Sequence, residues 1–297
     1  MENVGFIGLG VMGRPMAEHL LQAGYALHVW ARRPESCGPL VAAGAQVCAS
    51  PAELAARCSR VITMVTGSGD VASLAEGPEG LAAHLAPGSV WMDMSTIAPT
   101  TARQVGALLA ARGVDFLDAP VSGGEQGARD ASLSIMVGGE TRVLASVQPL
   151  LACLGRTVTH IGGIGAGQVA KACNQMIMVA AIQACAEAMH LAQAFGLDLA
   201  AVRQALGGGS AASRVLEVMG ARMVRGDYAQ GIEARLHHKD FGILLQAAHD
   251  LGAPLPVAAQ VEQQLNALMA RGWGREDTAS LLRVLAATDG DNGPARV

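Results

Sequence analysis

The sequence predicts an α/β chain, with a doubly wound sheet domain over residues 1–163 and an all-α domain over residues 164–297, joined by a long helix. Three observations carry this. Short apolar runs alternate with helical spacing through the first half; a run at 165–194 almost avoids charge; beyond residue 194 the strand signals stop. Strand–helix alternation repeated this often implies a parallel sheet with helices on both faces.

Residues 4–7 form an apolar strand that ends in a glycine-rich turn, and residues 15–23 carry helical spacing closed by Gly24. A second strand is expected at 26–30. Ser50, Pro51 and Glu53 then place an N-cap, an N1 proline and a capping-box carboxylate in register for a helix. Residues 61–65 are apolar and β-branched without alternation, as a strand buried on both faces must be. Further strands are expected at 90–93, 114–119, 132–138 and 157–161, with a helix at 99–112. Gly24, Gly44, Gly113 and Gly155 each follow a helical run, where a left-handed C-cap is called for. In the second half, helical spacing at 198–206, 214–225, 235–250, 256–270 and 276–287 is broken by glycines and prolines, and 288–297 reads as a loose tail. The 165–194 helix is apolar nearly all round and so should be covered on most sides.

With 297 residues, 51% of them hydrophobic, the chain can bury a large core. A net charge of −4 supplies no basic field, so neither nucleic acid nor an anionic membrane is expected as a partner. Six cysteines, at 37, 48, 58, 153, 173 and 185, show neither metal-site pairing nor a small disulfide framework. They read as reduced thiols of a cytoplasmic protein, and no metal is expected. The early strand leaves no place for a signal peptide. The 165–194 run is long enough to span a bilayer, but Lys171, Asn174, Gln175, Gln183, Glu187 and His190 are spread along it, which argues for a soluble chain.

The glycine-rich turn is Gly8, Leu9, Gly10, Val11, Met12 and Gly13, a G-x-G-x-x-G between the first strand and the first helix. In that context it is the fingerprint of a Rossmann-type dinucleotide site. Gly8 permits the tight turn, Gly10 lets backbone approach a pyrophosphate, and Gly13 lets the helix pack closely on the strand. The helix N-terminus offers N–H groups and a positive dipole end to the phosphates. An NAD-selective site would place an acid at the end of the second strand, to bond the ribose. Here Ala31, Arg32, Arg33 and Pro34 precede the first acid, Glu35. Two guanidiniums suit a 2′-phosphate, so NADP(H) is favoured, with NAD(H) as the alternative. Val65 with Thr66, and the turn at 93–96 ending in Thr96, should line the cofactor crevice. The turn at 118–125 holds Ser122, Gly123 and Gly124, whose N–H groups and hydroxyl suit a carboxylate or simply a plain loop.

Within 165–194 the charged residues are Lys171 and Glu187, with His190 protonatable. Asn174 and Gln175 stand at i+3 and i+4 from Lys171 and share its helical face. Burying an unpaired ammonium is costly, so Lys171 is either ion-paired or snorkelling, or it is there for chemistry.

Taken together, GFIGLGVMGRPMAEHL (5–20), DMSTIAP (93–99), DAPVSGGEQGARDASLSIMVGG (118–139), GAGQVAKACNQ (165–175) and HHKDF (237–241) resemble the β-hydroxyacid dehydrogenase family over essentially the whole chain. Its members include 3-hydroxyisobutyrate dehydrogenase and tartronate semialdehyde (2-hydroxy-3-oxopropionate) reductase. The runs STIAP (95–99) and GGSAASRVL (208–216) are most like the latter group. The resemblance implies that Lys171 is the catalytic lysine with Asn174 beside it, and that Ser122, Gly123, Gly124 and Gln175 hold a small carboxylate substrate. It also implies that Val65, Thr66 and Thr96 line the cofactor. From the second domain, Lys239 would reach the cofactor and Asp240 would close the substrate site. The family often has Leu-Pro where Val65 and Thr66 stand, and Asn or Asp where Ala31 stands, which leaves the ribose contact open. Adjacent His237 and His238 lack the spacing of a zinc pair.

The reaction so implied moves a hydride between a nicotinamide and the carbon bearing the hydroxyl, with Lys171 giving or taking the oxygen's proton. A non-catalytic dinucleotide sensor would need the fingerprint but not Lys171, Asn174 and the Ser122 turn together. An apolar helix of this length argues against a monomer, and a homodimer or homotetramer is expected.

Overall fold

The structure, a computed structural model, describes residues 2–229 and 231–286, so the tail expected at 288–297 lies outside the described residues. The chain divides into two compact units, Met1–Lys171 and Ala172–Val297.

The first unit runs β1 (Asn3–Ile7), α1 (Gly13–Gln22), β2 (Ala26–Trp30), a 3₁₀ turn leading into α2 (Gly38–Ala42), β3 (Gln46–Val47), α3 (Pro51–Arg57) and β4 (Arg60–Thr63). It continues with α4 (Ser68–Ala75), α5 (Leu81–His84), β5 (Val90–Asp93), α6 (Pro99–Ala110) and β6 (Asp115–Asp118). Then come β7 (Val121–Ser122), α7 (Gly124–Arg129), β8 (Leu133–Gly138), α8 (Thr141–Ala152) and β9 (Gly155–Gly162). The sheet order is β3-β2-β1-β4-β5-β6-β8-β7, with β9 on β8. Neighbours from β3 through β6 are parallel, and the winding reverses between β1 and β4, a switch point of the kind that opens a crevice at the strands' carboxyl ends.

The sheet is not parallel throughout. β8 runs antiparallel to β6 and β7, and parallel to β9. The six residues of α7 rise only about 9 Å, less than half the ~20 Å of a strand such as β8, so the chain re-enters the sheet near the end it left.

Alternate strand residues enter two different cores. Phe6, Ile62, Met92 and Leu117 join the cluster around Met16 and Leu20, while Ile7, Val61, Trp91 and Phe116 join the cluster around Leu54 and Leu109. Both faces are covered, which is why adjacent residues at the centres of these strands are apolar without alternation. The helix signals at residue 50 hold: Ser50 Oγ accepts from Glu53 N–H at 3.1 Å, although the Glu53 carboxylate accepts from Ala49 N–H, one residue earlier than the usual box. Gly24, Gly44 and Gly113 have positive φ as expected. Gly155 does not; it opens β9, and a β-carbon there would lie 2.4 Å from the Leu133 carbonyl oxygen. Close strand approach, not a helix cap, requires that glycine.

Helix α9 (Ala166–Ala194) begins in the first unit and continues into the second, the division falling after Lys171. The second unit adds α10 (Leu199–Gly207), a π turn (Leu216–Gly220) leading into α11 (Ala221–Arg225), α12 (Ala234–Leu251), α13 (Pro256–Ala270), and a 3₁₀ turn (Thr278–Ser280) leading into α14 (Leu281–Ala286). Val179, Ile182, Ala186 and Met189 of α9 pack in one core with Phe241 and Leu244 of α12 and Leu265 and Leu268 of α13. The chain's own core covers only part of α9: Ile177 and Leu191 are 68% and 60% exposed. One stripe at i, i+3, i+7 and i+10 satisfies the unit's own core, and the remaining apolar surface is left outward. By length and composition α9 could cross a membrane, yet it buries Lys171, Gln175 and Gln183 among its polar residues.

Candidate active site

The fingerprint turn is shaped by what a side chain would strike. Gly8 has φ +100°, and a β-carbon there would sit 2.1 Å from the Met64 carbonyl oxygen. At Gly13 it would sit 1.9 Å from the Gly8 oxygen. Gly10 differs: a β-carbon there meets nothing within 4 Å, so the fold itself does not demand glycine. That combination fits a dinucleotide whose pyrophosphate approaches at Gly10, on the N-terminal side of α1. Val11 is exposed and Met12 half-buried, whereas the Leu9 side chain lies in the core.

At the end of β2, Arg32 Nη1 lies 3.1 Å from Asp70 Oδ1, and the Arg32 side chain is 73% exposed. A surface pair of this kind is worth ~0–1 kcal/mol and yields readily to a phosphate. Arg33 is exposed beside it.

The turns after β4 and β5 are stitched by a buried polar network. Thr63 Oγ1 donates to Asp93 Oδ1 at 2.6 Å and accepts from Trp91 Nε1 at 2.9 Å. Ser95 Oγ donates to the same Asp93 oxygen at 2.7 Å and accepts from Val65 N–H at 2.9 Å. Ser68 Oγ accepts from Ala98 N–H at 2.9 Å. Val65, Thr66 and Thr96 are thereby held on two adjoining turns, Val65 and Thr96 half-buried and Thr66 exposed.

Asp93 is fully buried, and burial raises its pKa to about 6 against the opposing hydrogen bonds from Thr63 and Ser95; its neighbour Asp118 adds to the rise. Between about pH 4 and pH 6 the folded chain therefore keeps a proton that the unfolded chain has released. The carboxyl contributes stability at low pH, and that contribution is lost as pH rises through 6. Asp93→Asn, which cannot ionise, should accordingly gain in melting temperature relative to the parent chain as pH rises across this window. Parallel melting-temperature profiles would contradict the assignment.

Ser122 pairs with Ser134 in β8, and Gly123 and Gly124 follow at φ +141° and +62°. Only glycine takes two such angles in succession without strain. His19 of α1 fixes the far end of this segment, its Nε2 lying 2.9 Å from the Arg129 carbonyl oxygen. Lys171 is buried, 7% exposed, in the second turn of α9.

In the second unit, Asn174 Nδ2 donates to Gln175 Oε1 at 2.9 Å, and Gln175 Nε2 donates to Asp240 Oδ2 at 2.6 Å. Lys239 Nζ lies 3.0 Å from Asp240 Oδ1, an ion pair that does not meet hydrogen-bond geometry. Gln175 and Asp240 are both buried, so they brace α9 against α12. His237 Nδ1 meets Thr278 Oγ1 at 2.7 Å, and His238 Nε2 meets Asn266 Oδ1 at 2.8 Å. Among the described residues no group of three or more His, Cys, Asp or Glu side chains is placed to hold a metal.

Sequence reasoning missed Gln168. It is 2% exposed; its Oε1 accepts from Ile97 N–H at 3.0 Å and its Nε2 donates to the Ser95 carbonyl at 2.9 Å. It also passed over Asp118 as more than a turn residue, although the carboxylate accepts from Gly165 and Gln168 N–H at 2.7 and 2.9 Å. An acid at the carboxyl end of β6 was the available signal for Asp118; nothing local singles out Gln168.

The family model for the NAD binding domain of 6-phosphogluconate dehydrogenase matches residues 3–162, and that for the NAD-binding region of NADP-dependent 3-hydroxyisobutyrate dehydrogenase matches residues 165–285. The chain is 39% identical over 283 residues to 2-hydroxy-3-oxopropionate reductase of Escherichia coli, covering 95% of this chain and 97% of that one. It is 38% identical over 297 residues to the NAD-dependent L-serine dehydrogenase of Pseudomonas aeruginosa, covering 98% and 100%. Among solved structures, Psf3 in complex with NADP+ and 2-OPP superposes with a TM-score of 0.88 at 27% identity, covering 95% of this chain and 99% of that one. With its fingerprint turn, its all-helical second unit and these matches, the chain belongs to the β-hydroxyacid dehydrogenase family, NAD(P)-dependent oxidoreductases that act on CH–OH groups.

Proposed function

We propose that this enzyme reduces tartronate semialdehyde (2-hydroxy-3-oxopropionate) to glycerate, with NADP(H) favoured over NAD(H). The observation that carries the reading is Lys171, a buried lysine on α9 followed one turn later by Asn174. The bound nicotinamide supplies the hydride in reduction and takes it in oxidation. Lys171 gives the carbonyl oxygen its proton in reduction and removes it in oxidation, and Asn174 orients the reacting oxygen. Ser122, Gly123 and Gly124 hold the substrate carboxylate through a hydroxyl and backbone N–H groups. On this reading the glycines of the fingerprint receive the pyrophosphate, and Arg32 exchanges Asp70 for the 2′-phosphate. Lys239 is assigned to the cofactor as well, while Asp240 and Gln175 support the site as braces.

The acid's identity is tested by a panel followed at the nicotinamide absorbance band: tartronate semialdehyde and succinic semialdehyde with NADPH or NADH, and 3-hydroxyisobutyrate and L-serine with NADP+ or NAD+. The expected result is the highest kcat/KM for tartronate semialdehyde with NADPH. A higher value for 3-hydroxyisobutyrate or L-serine would reassign the substrate, and no turnover with any would favour a dinucleotide sensor. We further assign the enzyme to the cytoplasm, as a homodimer or homotetramer. The outward apolar surface of α9 at Ile177 and Leu191 supports self-association. A monomer mass by light scattering would contradict it.

A further inference from the structure

We propose that Gln168 is a positioning residue for the reaction: its amide clamps the turn at 95–97 to the first turn of α9 and so sets where Lys171 stands. The inference rests on the reading of Lys171 as the proton donor. It is carried by the two bonds that the amide makes and by how the helix start is anchored.

Helix α9 begins at Ala166, beside the Asp118 carboxylate, which takes Gly165 N–H on one oxygen and Gln168 N–H on the other. The space around that carboxylate is kept clear. A β-carbon at Gly138 would lie 2.4 Å from Asp118 Oδ1, and one at Gly167 would lie 2.9 Å from Oδ2. The helix start is therefore pinned at the end of β6. Gln168 then reaches from the same turn to the neighbouring β5 turn. Its carbonyl takes Ile97 N–H and its amino group gives to the Ser95 carbonyl, bracketing Thr96. Only one orientation of the amide satisfies both partners, since one is a donor and the other an acceptor. Lys171 follows three residues on, ~4.5 Å further along the axis. A proton donor displaced by ~1 Å can cost ~10²-fold in rate. A clamp between the lysine's helix and a cofactor-lining turn therefore acts on kcat without touching the substrate.

The test uses the full chain carrying Gln168→Leu or Gln168→Glu, with kcat, KM, melting temperature and NADPH binding measured for each. Leucine keeps the volume and removes both bonds, so kcat should fall at least ~10-fold while KM stays within ~3-fold. In the glutamate variant an ionised carboxylate would face the Ser95 carbonyl, whereas a protonated one offers C=O to Ile97 and O–H to Ser95. Its kcat relative to the parent enzyme should therefore rise as pH falls from about 8 to about 6. A purely structural role would lower the melting temperature without this recovery. Parent-like kcat in both variants, or a glutamate variant whose relative kcat ignores pH, would overturn the proposal. If the leucine variant does not fold, the pH response of the glutamate variant decides. Lys171→Ala separates the two readings: near-normal turnover there defeats the lysine assignment, while a slow Lys171→Ala beside fully active Gln168 variants defeats the clamp alone.

Discussion

A methyl group at Gly13 is expected to destabilise the nucleotide-binding unit severely, whereas the same methyl at Gly10 should leave the fold intact and abolish tight cofactor binding. The difference follows from what each added carbon would meet. At Gly13 it would sit 1.9 Å from the Gly8 oxygen and 3.0 Å from the Gly8 carbonyl carbon, both backbone atoms that cannot swing aside. Relief requires moving α1 off β1, at a cost on the order of 3–5 kcal/mol, a large share of the ~5–15 kcal/mol that holds a domain together. At Gly10 the added carbon meets nothing, and its φ is not among the positive values, so Gly10→Ala should melt within ~2 °C of the parent. Its NADP(H) dissociation constant should nevertheless rise at least ~10-fold, because the methyl occupies the side from which a pyrophosphate approaches. Calorimetry and NADPH fluorescence titration of both variants check the pair. Unchanged binding by Gly10→Ala would contradict the placement of the phosphates.

Lys171→Ala should cut turnover by at least ~10²-fold, the lower end of what a positioned general acid contributes. Lys171→Arg should be about as slow. The guanidinium keeps the charge but does not surrender its proton at any accessible pH, so the substitution separates electrostatic attraction from proton transfer. A lysine kept only for an ion pair would behave differently, since arginine would preserve the pair and most of the activity. Neither variant should weaken cofactor binding more than ~3-fold, because the fingerprint turn lies on β1 and α1, away from α9 in sequence.

What could be read in advance was whatever depends on near neighbours in the chain. Ser50, Pro51 and Glu53 specify a helix start within four residues, and the structure places Ser50 as the N-cap of α3. Gly8 and Gly13 are demanded by a turn that their own spacing defines. The strands buried on both faces were legible because adjacent residues at their centres, such as Val61 with Ile62 and Trp91 with Met92, must both be apolar. The antiparallel β8 was not, because its direction depends on how far a six-residue helix carries the chain. Gly155 misled for a related reason: following a helix and entering a crowded strand leave the same letter. The outward surface of α9 was hidden because an apolar helix looks alike whether its own unit covers it or not. Gln168 was the least legible, since its partners stand 71 and 73 residues away and one of them is a backbone carbonyl, which has no sequence signature.

The central claim is that Lys171 delivers the proton. The most direct measurement is the single-turnover rate of nicotinamide oxidation in the parent enzyme and in Lys171→Ala. Each is saturated with NADPH and mixed with the semialdehyde that gives the faster turnover in the substrate panel. The expected rate is at least ~10²-fold lower in the variant, with the NADPH dissociation constant within ~3-fold of the parent. Equal single-turnover rates in the two proteins would contradict it.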